Sequence, residues 1–280
     1  MGLASLARKA RLYGGEVAFA LTAPRTAAGS ARLVAQAAVM HWHNWRRRAP
    51  DLAATSELEL EIGGVCRRLG LRPYAGDLGV LFEVLARQTY RIDPQVLDPA
   101  TIETVVDAGA NVGISSLHLA ARYPRARVYA IEPHPANLAL LRHNTACEPR
   151  ITVVGAALTA RVGERVFMRG AGPAWGYRSS DDRRGIEVPG LTIDDLLREH
   201  GLTRIDLLKM DIEGAEKEIM ADAPFLHCVG ALIAELHGSY DLAAFNRDLA
   251  ASGLAARVSP WGDDPHLVIA LRDRLPFTAR

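Results

Sequence analysis

From Thr101 to about Leu158 the sequence alternates between short apolar segments and segments with helical periodicity. The apolar segments TVVDAG, RVYAIEP and ITVVGAAL are typical of buried strands, whereas VGISSLHLAARYP and PANLALLRHNT are typical of helices. Strands that alternate with helices of this length form a parallel sheet with helices on both faces. The alternation therefore predicts an α/β fold.

The alternation resumes after a polar, glycine-rich insertion at residues 170–185. Thr192 and Asp195 form a predicted capping box at the start of the helix IDDLLREHG. Strand IDLLKMD, helix AEKEIM, strand ALIAELHG and helix DLAAFNRDLAASG follow, and two last strands lie near 256–258 and 266–270. We therefore expect about seven strands, with the last pair forming a hairpin at one edge of the sheet.

Three regions differ in composition. Residues 1–56 are predicted to form a basic helical extension, residues 57–100 a small strand and helix lead-in, and residues 101–280 the main α/β domain on which the lead-in packs. The first fifty residues carry eight basic side chains and one acid, Glu16. We interpret the extension as a solvated helical segment, with docking to a membrane surface or a protein partner, or a targeting peptide, as alternatives.

Composition argues against several classes of protein. The net charge of +1 gives no reason to expect nucleic acid as a partner. We expect no membrane-spanning helix, because no run of about twenty apolar residues is present. Cys66, Cys147 and Cys228 are widely separated and odd in number, which favours a reducing compartment over a disulfide framework or a zinc site. We therefore expect a cytoplasmic protein, with peripheral attachment at a membrane surface as the alternative.

The segment DAGANVG, from Asp107 to Gly113, follows the first predicted strand of the main domain. Ligands of open α/β sheets bind outside the carboxyl ends of the strands, where this segment lies. We expect Gly109 to leave room for the close approach of a ligand, and Gly113 to let the next helix begin tightly against the strand. Asp107 is expected to accept hydrogen bonds from the loop or from a cationic group of the ligand.

The spacing within this loop distinguishes between cofactors. A dinucleotide-binding loop reads G-x-G-x-x-G, but from Gly109 the second and third glycine positions hold Asn111 and Ile114, whose side chains would crowd a pyrophosphate. Glu132 ends the next strand, where an acid can bind both hydroxyls of a ribose. A loop with a ribose-binding acid and without a pyrophosphate turn predicts S-adenosylmethionine as the cofactor and disfavours NAD.

Three motifs, VVDAGANVGISS, IEPHPAN and LLKMDIEGAE, occur in this order and resemble the FkbM-type family of S-adenosylmethionine-dependent methyltransferases. The pattern K-x-D-x-E-G-x-E, from Lys209 to Glu216, is the most specific of them, and the resemblance extends from about Glu57 to the C-terminus. It implies a Rossmann-like class I methyltransferase fold with a mostly parallel sheet of about seven strands. It also implies an antiparallel last strand and methylation mainly of hydroxyl oxygens.

The resemblance also implies the positions that bind the cofactor. Asn137 and Ala156 are expected beside the ribose and the adenine. The full set implied by similarity is Asp107, Gly109, Ala110, Asn111, Gly113, Glu132, Pro133, Asn137, Ala156 and Asp211.

Candidates for the acceptor site follow the strands IDLLKMD and ALIAELHG. Lys209, Asp211, Glu235 and His237 lie where these adjacent strands end, so we expect them to face one cavity. Methyl transfer to a hydroxyl requires positioning and a base. His237 is predicted to be the base, with Glu235 orienting it or raising its pKa. A structural role for His237, and Asp211 as the base, are the alternatives.

The same region carries two further expectations. Glu213 is expected to begin a helix and to contact the substrate, whereas Glu216 is expected to be partly solvated. Asp211, Glu235 and His237 could hold a divalent metal ion between them, although their spacing does not require one.

The insertion at residues 170–185 is a candidate lid over the acceptor. Trp175 and Tyr177 are expected to stack on a sugar, and Arg178 to bind its hydroxyls. An ordinary surface loop is the alternative, because glycine-rich loops need no function.

The residues predict an S-adenosylmethionine-dependent methyltransferase, and the family resemblance implies that it methylates oxygen. Its acceptor is expected to be a small molecule or glycan, namely a hydroxyl of a sugar, glycolipid or secondary metabolite, and no nucleic acid. Three alternatives remain: an N-methyltransferase with the same cofactor site, a non-catalytic cofactor-binding or interaction module, and a nicotinamide oxidoreductase, which Asn111 and Ile114 disfavour.

Overall fold

The structure, a computed structural model, describes residues 3–169, 178–179, 185–252, 256–261 and 264–272. The N-terminal third of the chain contains two long helices, a hairpin and short helical turns. These elements are α1 (Leu3–Thr22), α2 (Ala27–Trp45), β1 (Ser56–Ile62), β2 (Val65–Leu71), α3 (Asp77–Leu81) with a π-helical turn at Phe82–Ala86, and a 3₁₀ turn at Pro99–Thr101.

The rest of the chain alternates strands and helices. The first half consists of β3 (Thr104–Ala108), α4 (Ile114–Arg122), β4 (Arg127–Ile131), α5 (Pro135–Thr145), β5 (Ile151–Val154), β6 (Ala157–Leu158), β7 (Arg165–Arg169), β8 (Arg178–Ser179) and β9 (Ile186–Leu191). The second half consists of α6 (Ile193–His200), β10 (Ile205–Met210), α7 (Glu216–Ala221), a 3₁₀ turn (Pro224–Cys228), β11 (Val229–Glu235), α8 (Leu242–Ala251), β12 (Ala256–Trp261) and β13 (Asp264–Arg272).

The central sheet has seven strands in the order β12-β13-β11-β10-β3-β4-β5. The five strands from β11 to β5 are mutually parallel, whereas β13 runs antiparallel to β11 and β12 antiparallel to β13. This topology confirms the predicted Rossmann-like class I fold and the hairpin at one edge. The strand order reverses between β3 and β10, and ligands of open α/β sheets bind at such a switch point.

One predicted strand is split in two. The segment ITVVGAAL forms β5, which pairs with β4 in the central sheet, and β6, which pairs with β9 in a separate four-stranded sheet. Both strands are largely apolar and at least partly buried. The sequence pattern alone therefore does not show where β5 ends and β6 begins. The insertion at residues 170–185 lies between β7 and β9 in the sequence, and these two strands pair with each other in the four-stranded sheet.

The predicted capping box is confirmed. Oγ1 of Thr192 accepts a hydrogen bond from the backbone N–H of Asp195 at 3.0 Å, and the Asp195 carboxylate accepts one from the backbone N–H of Thr192 at 3.2 Å. The helix that they begin ends at Gly201, whose φ of 62° suits glycine.

The N-terminal helices pack into the same hydrophobic core as the sheet. Leu33 and Met40 of α2 belong to one buried cluster with Leu60 of β1 and Val105 of β3. No helix within the described residues combines the length and apolar character that crossing a membrane requires. The boundaries 1–56, 57–100 and 101–280 stay a prediction.

Candidate active site

The loop after β3 is interlocked with the loop after β10. Gly109 has a φ of 79°, and a Cβ placed on it would lie 1.7 Å from the carbonyl oxygen of Asp211. The backbone N–H of Asp211 in turn donates to the carbonyl of Ala108 at 3.1 Å. The expectation that Gly109 leaves room for a ligand was therefore incomplete, because the group that needs the space is the protein's own backbone.

Three other residues of the predicted cofactor set support this loop from behind. Gly113 immediately precedes α4 and packs on α5, where an added Cβ would lie 2.8 Å from Leu141. Ala110 is buried in a small cluster with Ala130 and Leu141. Asp107 is fully buried, and both its oxygens face protein groups rather than the cavity.

Glu132 organises the far side of the loop. One of its oxygens accepts a hydrogen bond from the backbone N–H of Asn111 at 3.0 Å. The other accepts from the backbone N–H of His134 at 2.9 Å and from the side-chain amide of Asn137 at 3.3 Å. Burial raises the pKa of Glu132 to about 7, although these hydrogen bonds oppose the shift. Glu132 is therefore held in one orientation and titrates near neutral pH.

A buried arginine from outside the parallel strands braces this arrangement. Arg72 donates to Oδ1 of Asn137 at 2.7 Å and forms two hydrogen bonds with the fully buried carboxylate of Asp77. Sequence analysis missed Arg72, because no local pattern connects residues 65 positions apart.

Lys209 lies beneath the cavity and holds the two loops together. Its ammonium donates to the carbonyl of Gly109 at 2.8 Å and lies 3.2 Å from Asp107 and 3.7 Å from Asp211. Burial lowers the pKa of Lys209, but the two carboxylates outweigh this effect and raise it. Lys209 is thus a charged structural cation, which favours a supporting role over the catalytic role that we predicted.

His237 is held by a buried carboxylate. Its Nδ1 lies 2.8 Å from Oε1 of Glu216, which also accepts the backbone N–H of Ile212 at 3.1 Å. Glu216 is fully buried, so the expectation that it is partly solvated was wrong, and Glu216 contacts Nδ1 where we expected Glu235 to orient the ring. Burial alone would lower the pKa of His237, but the hydrogen bond and charge of Glu216, with nearby Asp211 and Glu213, raise it to about 9.

The other ring nitrogen of His237 faces three carboxylates. Its Nε2 lies 3.8 Å from one oxygen each of Asp211, Glu213 and Glu235. Glu213 does not begin a helix, as we expected, because it has a φ of 58° in the turn before α7, which starts at Glu216. The side-chain atoms that lie within 4.8 Å of one another belong to Asp211, Glu213 and His237, so Glu213 replaces Glu235 in the candidate metal set. Metal binding itself stays an alternative that neither the sequence nor the structure requires.

The two groups of residues line one cavity of about 800 Å³. Its wall contains the predicted cofactor residues Gly109, Asn111, Glu132, Pro133 and Asn137. The same wall contains the predicted acceptor residues Lys209, Asp211, Glu213, Glu235 and His237. The arrangement can therefore hold a nucleoside and present a second molecule to a histidine.

A sequence model of the methyltransferase FkbM domain matches residues 107–249, about half of the chain. The chain belongs to the FkbM methyltransferase family. This match covers the loops that carry all three motifs and confirms the resemblance seen in the sequence.

Three relatives of this FkbM-family chain differ in how much of their length they share with it. The AMB antimetabolite synthetase AmbE of Pseudomonas aeruginosa is 30% identical over 75% of this chain, but the alignment spans 12% of that protein. The 31-O-demethyl-FK506 methyltransferase FkbM of Streptomyces tacrolimicus is 25% identical over 58% of this chain and 76% of its own length. The 2-O-methyltransferase NoeI of Sinorhizobium fredii is 28% identical over 42% of this chain and 56% of its own length.

Some predicted residues of the FkbM-family site lie elsewhere. Ala156 is buried in a hydrophobic cluster, and Ala157 and Leu158 take its place in the cavity wall. Trp175 and Tyr177 lie outside the described residues, as does the side chain of Arg178. The lid therefore stays a prediction.

Sequence analysis missed the cavity wall contributed by the N-terminal third of the chain. The last turns of α2 and the residues after it line the cavity with Met40, His43, Asn44 and Arg48. The hydroxyl of Tyr90 donates to the Asp211 carboxylate at 3.1 Å. No motif marks these residues, because their neighbours in the FkbM domain are far away in sequence.

Proposed function

We propose that this protein is an S-adenosylmethionine-dependent methyltransferase that methylates a hydroxyl group of a small molecule. The observation that carries the proposal is the shared cavity, whose wall contains both Glu132 and His237. A methyltransferase needs a cofactor site and an acceptor site that meet at one reacting methyl group. Membership of the FkbM methyltransferase family supports the same reaction class.

The cofactor end of the cavity fits an adenosine-containing ligand with a cationic tail. Glu132 would accept hydrogen bonds from the ribose hydroxyls, because it follows the carboxyl end of β4, the neighbour of β3 in the sheet, and lines the cavity. Asn111 lines the cavity, and its buried Oδ1 has no hydrogen-bond partner within the described residues, so a small side-chain rotation would present an acceptor to a ligand donor. When bound, S-adenosylmethionine supplies an electrophilic methyl group on a cationic sulfonium.

His237 would remove the proton of the acceptor hydroxyl as the hydroxyl oxygen bonds to the methyl carbon and the bond from that carbon to sulfur breaks, so that S-adenosylhomocysteine leaves with the electron pair. Its Nδ1 is engaged by Glu216, so Nε2 is the nitrogen directed towards Asp211 and the cavity. With a pKa of about 9, His237 carries an extra proton at neutral pH and must lose it before it can act as a base. A second cation nearby favours that loss, so a bound sulfonium would lower the pKa of His237.

Two observations favour oxygen over nitrogen as the methylated atom. A hydroxyl stays protonated at neutral pH and needs a base, and the carboxylate-supported histidine offers one. The names of two relatives, a 31-O-demethyl-FK506 methyltransferase and a 2-O-methyltransferase, describe methylation at oxygen. We therefore propose a hydroxylated acceptor such as a sugar, glycolipid or secondary metabolite.

Calorimetric titration with S-adenosylmethionine, S-adenosylhomocysteine and NAD tests the cofactor. We expect the first two to bind and NAD not to bind; binding of NAD alone would overturn the proposal. Transfer of a labelled methyl group to a panel of hydroxylated and aminated acceptors then tests the reaction. Products methylated only at nitrogen would favour the N-methyltransferase, and cofactor binding without any turnover would favour the non-catalytic module.

A further inference from the structure

The outer face of the N-terminal helices exposes apolar side chains and carries no acidic side chain. On α1, Tyr13 and Val17 are exposed, and Leu21 is 58% exposed. These three residues recur every four positions, so they lie on one side of the helix. Isolated exposed apolar residues are ordinary, but a row of them on one helix face requires an explanation.

The second helix continues this surface. Its exposed apolar residues recur at a spacing of three or four and end in two tryptophans, of which Trp45 is 74% exposed. They are Ala31, Ala35, Ala38, Trp42 and Trp45. Tyr13 of α1 makes an edge contact with His41 of α2, with 4.7 Å between the ring centres, which connects the two rows. We call the exposed apolar residues of both helices, with Arg46 and Arg47, the N-terminal face.

The charge of this face is uniformly positive. Between residues 12 and 50 the one acid is Glu16, which is buried and hydrogen-bonded to His41 and Arg87. The guanidinium of Arg46 lies 5.1 Å from the ring centre of Trp45, and it is exposed together with Arg47. Tryptophan and arginine side chains that stack at the edge of an apolar surface suit the boundary between lipid headgroups and acyl chains.

We propose that the N-terminal face docks on an anionic lipid bilayer. The surface combines exposed apolar side chains, which insert at the interface, with arginines that attract acidic headgroups, and α1 and α2 themselves carry no exposed acid. A second copy of this chain is a less suitable occupant, because two such faces would bring like charges together. The same turns of α2 line the cavity through Met40 and His43, so docking would hold the active site beside the membrane.

Flotation of the full chain with vesicles tests the proposal without any methyl-transfer assay. We expect binding to phosphatidylcholine vesicles that contain phosphatidylserine, weaker binding to phosphatidylcholine alone, and loss of binding as salt is added. Equal binding to both vesicles, or none to either, would overturn it. Dimerisation through this face in vesicle-free sedimentation, abolished by Trp45→Ser, would instead assign the face to a second copy.

Two variants localise the contact, and neither changes a residue that lines the cavity. Because an arginine near an anionic surface strengthens partitioning roughly fivefold, the double variant Arg46→Gln, Arg47→Gln should bind at least about tenfold more weakly. Its matched control, Arg68→Gln with Arg125→Gln, removes the same charge from exposed positions elsewhere and should bind normally. Trp45→Ser should also weaken binding, whereas Val162→Ser, at another exposed apolar site, should not. Equal losses in the variants and their controls would contradict the assignment.

Discussion

Oε1 of Glu216 lies 2.8 Å from Nδ1 of His237 and accepts a hydrogen bond from it. Because Glu216 is fully buried, its negative charge is poorly screened and stabilises the protonated ring. The contact therefore controls both the orientation of His237 and the pH at which it can accept a proton.

Glu216→Gln should shift the pH dependence of methyl transfer to lower pH. In the unchanged protein, kcat/KM should rise with pH through about 9, where His237 loses its extra proton. Glutamine can keep the hydrogen bond from Nδ1 but lacks the charge, so the pKa of His237 should fall. The pH profile of kcat/KM measures this shift, with Glu199→Gln on the surface of α6 as the control. A profile that does not move would remove Glu216 from the mechanism.

The same contact should make stability depend on pH. The folded-state pKa of His237 is raised from 6.5 to about 9, so the stabilisation is fully present below about pH 6.5 and is lost as pH rises through about 9. The stability difference between the unchanged protein and Glu216→Gln should therefore be largest in acid and smallest above about pH 9. Denaturant unfolding at several pH values measures it, and a difference that grows with pH would contradict the assignment.

Glu132 should make cofactor affinity depend on pH. Ribose hydroxyls donate most strongly to a charged carboxylate, and Glu132 becomes charged as pH rises through about 7. Affinity for S-adenosylmethionine should therefore increase between about pH 6 and about pH 8, and Glu132→Gln should remove the increase and weaken binding about 10- to 100-fold. Calorimetry across this range tests both effects. Unchanged affinity in the variant would exclude the ribose contact.

Gly109→Ala should disrupt folding far more than an ordinary glycine substitution. The new Cβ would overlap the carbonyl oxygen of Asp211, and the residue also has a positive φ. Gly163→Ala is a matched control, because Gly163 has a φ of 72° but no atom within 4 Å of the added Cβ. We expect the control to lose about 1 kcal/mol from backbone strain and Gly109→Ala to lose more than about 4 kcal/mol in chemical denaturation. Similar losses of stability in the two variants would mean that the loops after β3 and β10 can move apart without destabilising the fold.

Local patterns were sufficient to predict most of the fold. The capping box at Thr192 and the apolar runs that form β3 and β4 depend on neighbours within a few residues, so sequence periodicity identifies them. The end of β5 could not be located, because its apolar run continues into β6 and tertiary pairing divides the two.

Site residues at the ends of parallel strands could be predicted from the sequence. Residues whose positions depend on contacts distant in sequence could not. Glu132 and His237 could be named because parallel strands deliver their carboxyl ends to one edge. The burial of Glu216 depends on a partner 21 residues away, and the constraint on Gly109 comes from the carbonyl of Asp211 on a different strand end. The contribution of α2 to the cavity depends on packing that no motif records.

Arg72 should be essential for stability and should also affect cofactor binding. Arg72→Met would leave the fully buried carboxylate of Asp77 without its ion-pair partner, which costs about 3–5 kcal/mol in other proteins. It would also release Asn137, which donates to Glu132, so affinity for S-adenosylmethionine should fall in the variant that remains folded.

Arg68→Met, on β2 just before Arg72, provides the comparison, because the Arg68 side chain is 66% exposed and its ion pair with Glu57 lies at the surface. We expect this control to change the free energy of unfolding by less than about 1 kcal/mol and to leave cofactor affinity unchanged. The double variant Arg72→Met, Asp77→Leu removes both buried charges and should recover part of the lost stability, because no unpaired carboxylate then remains in the core. It should not recover cofactor affinity, because Asn137 still lacks its donor. Recovery of both would show that Arg72 acts through stability alone.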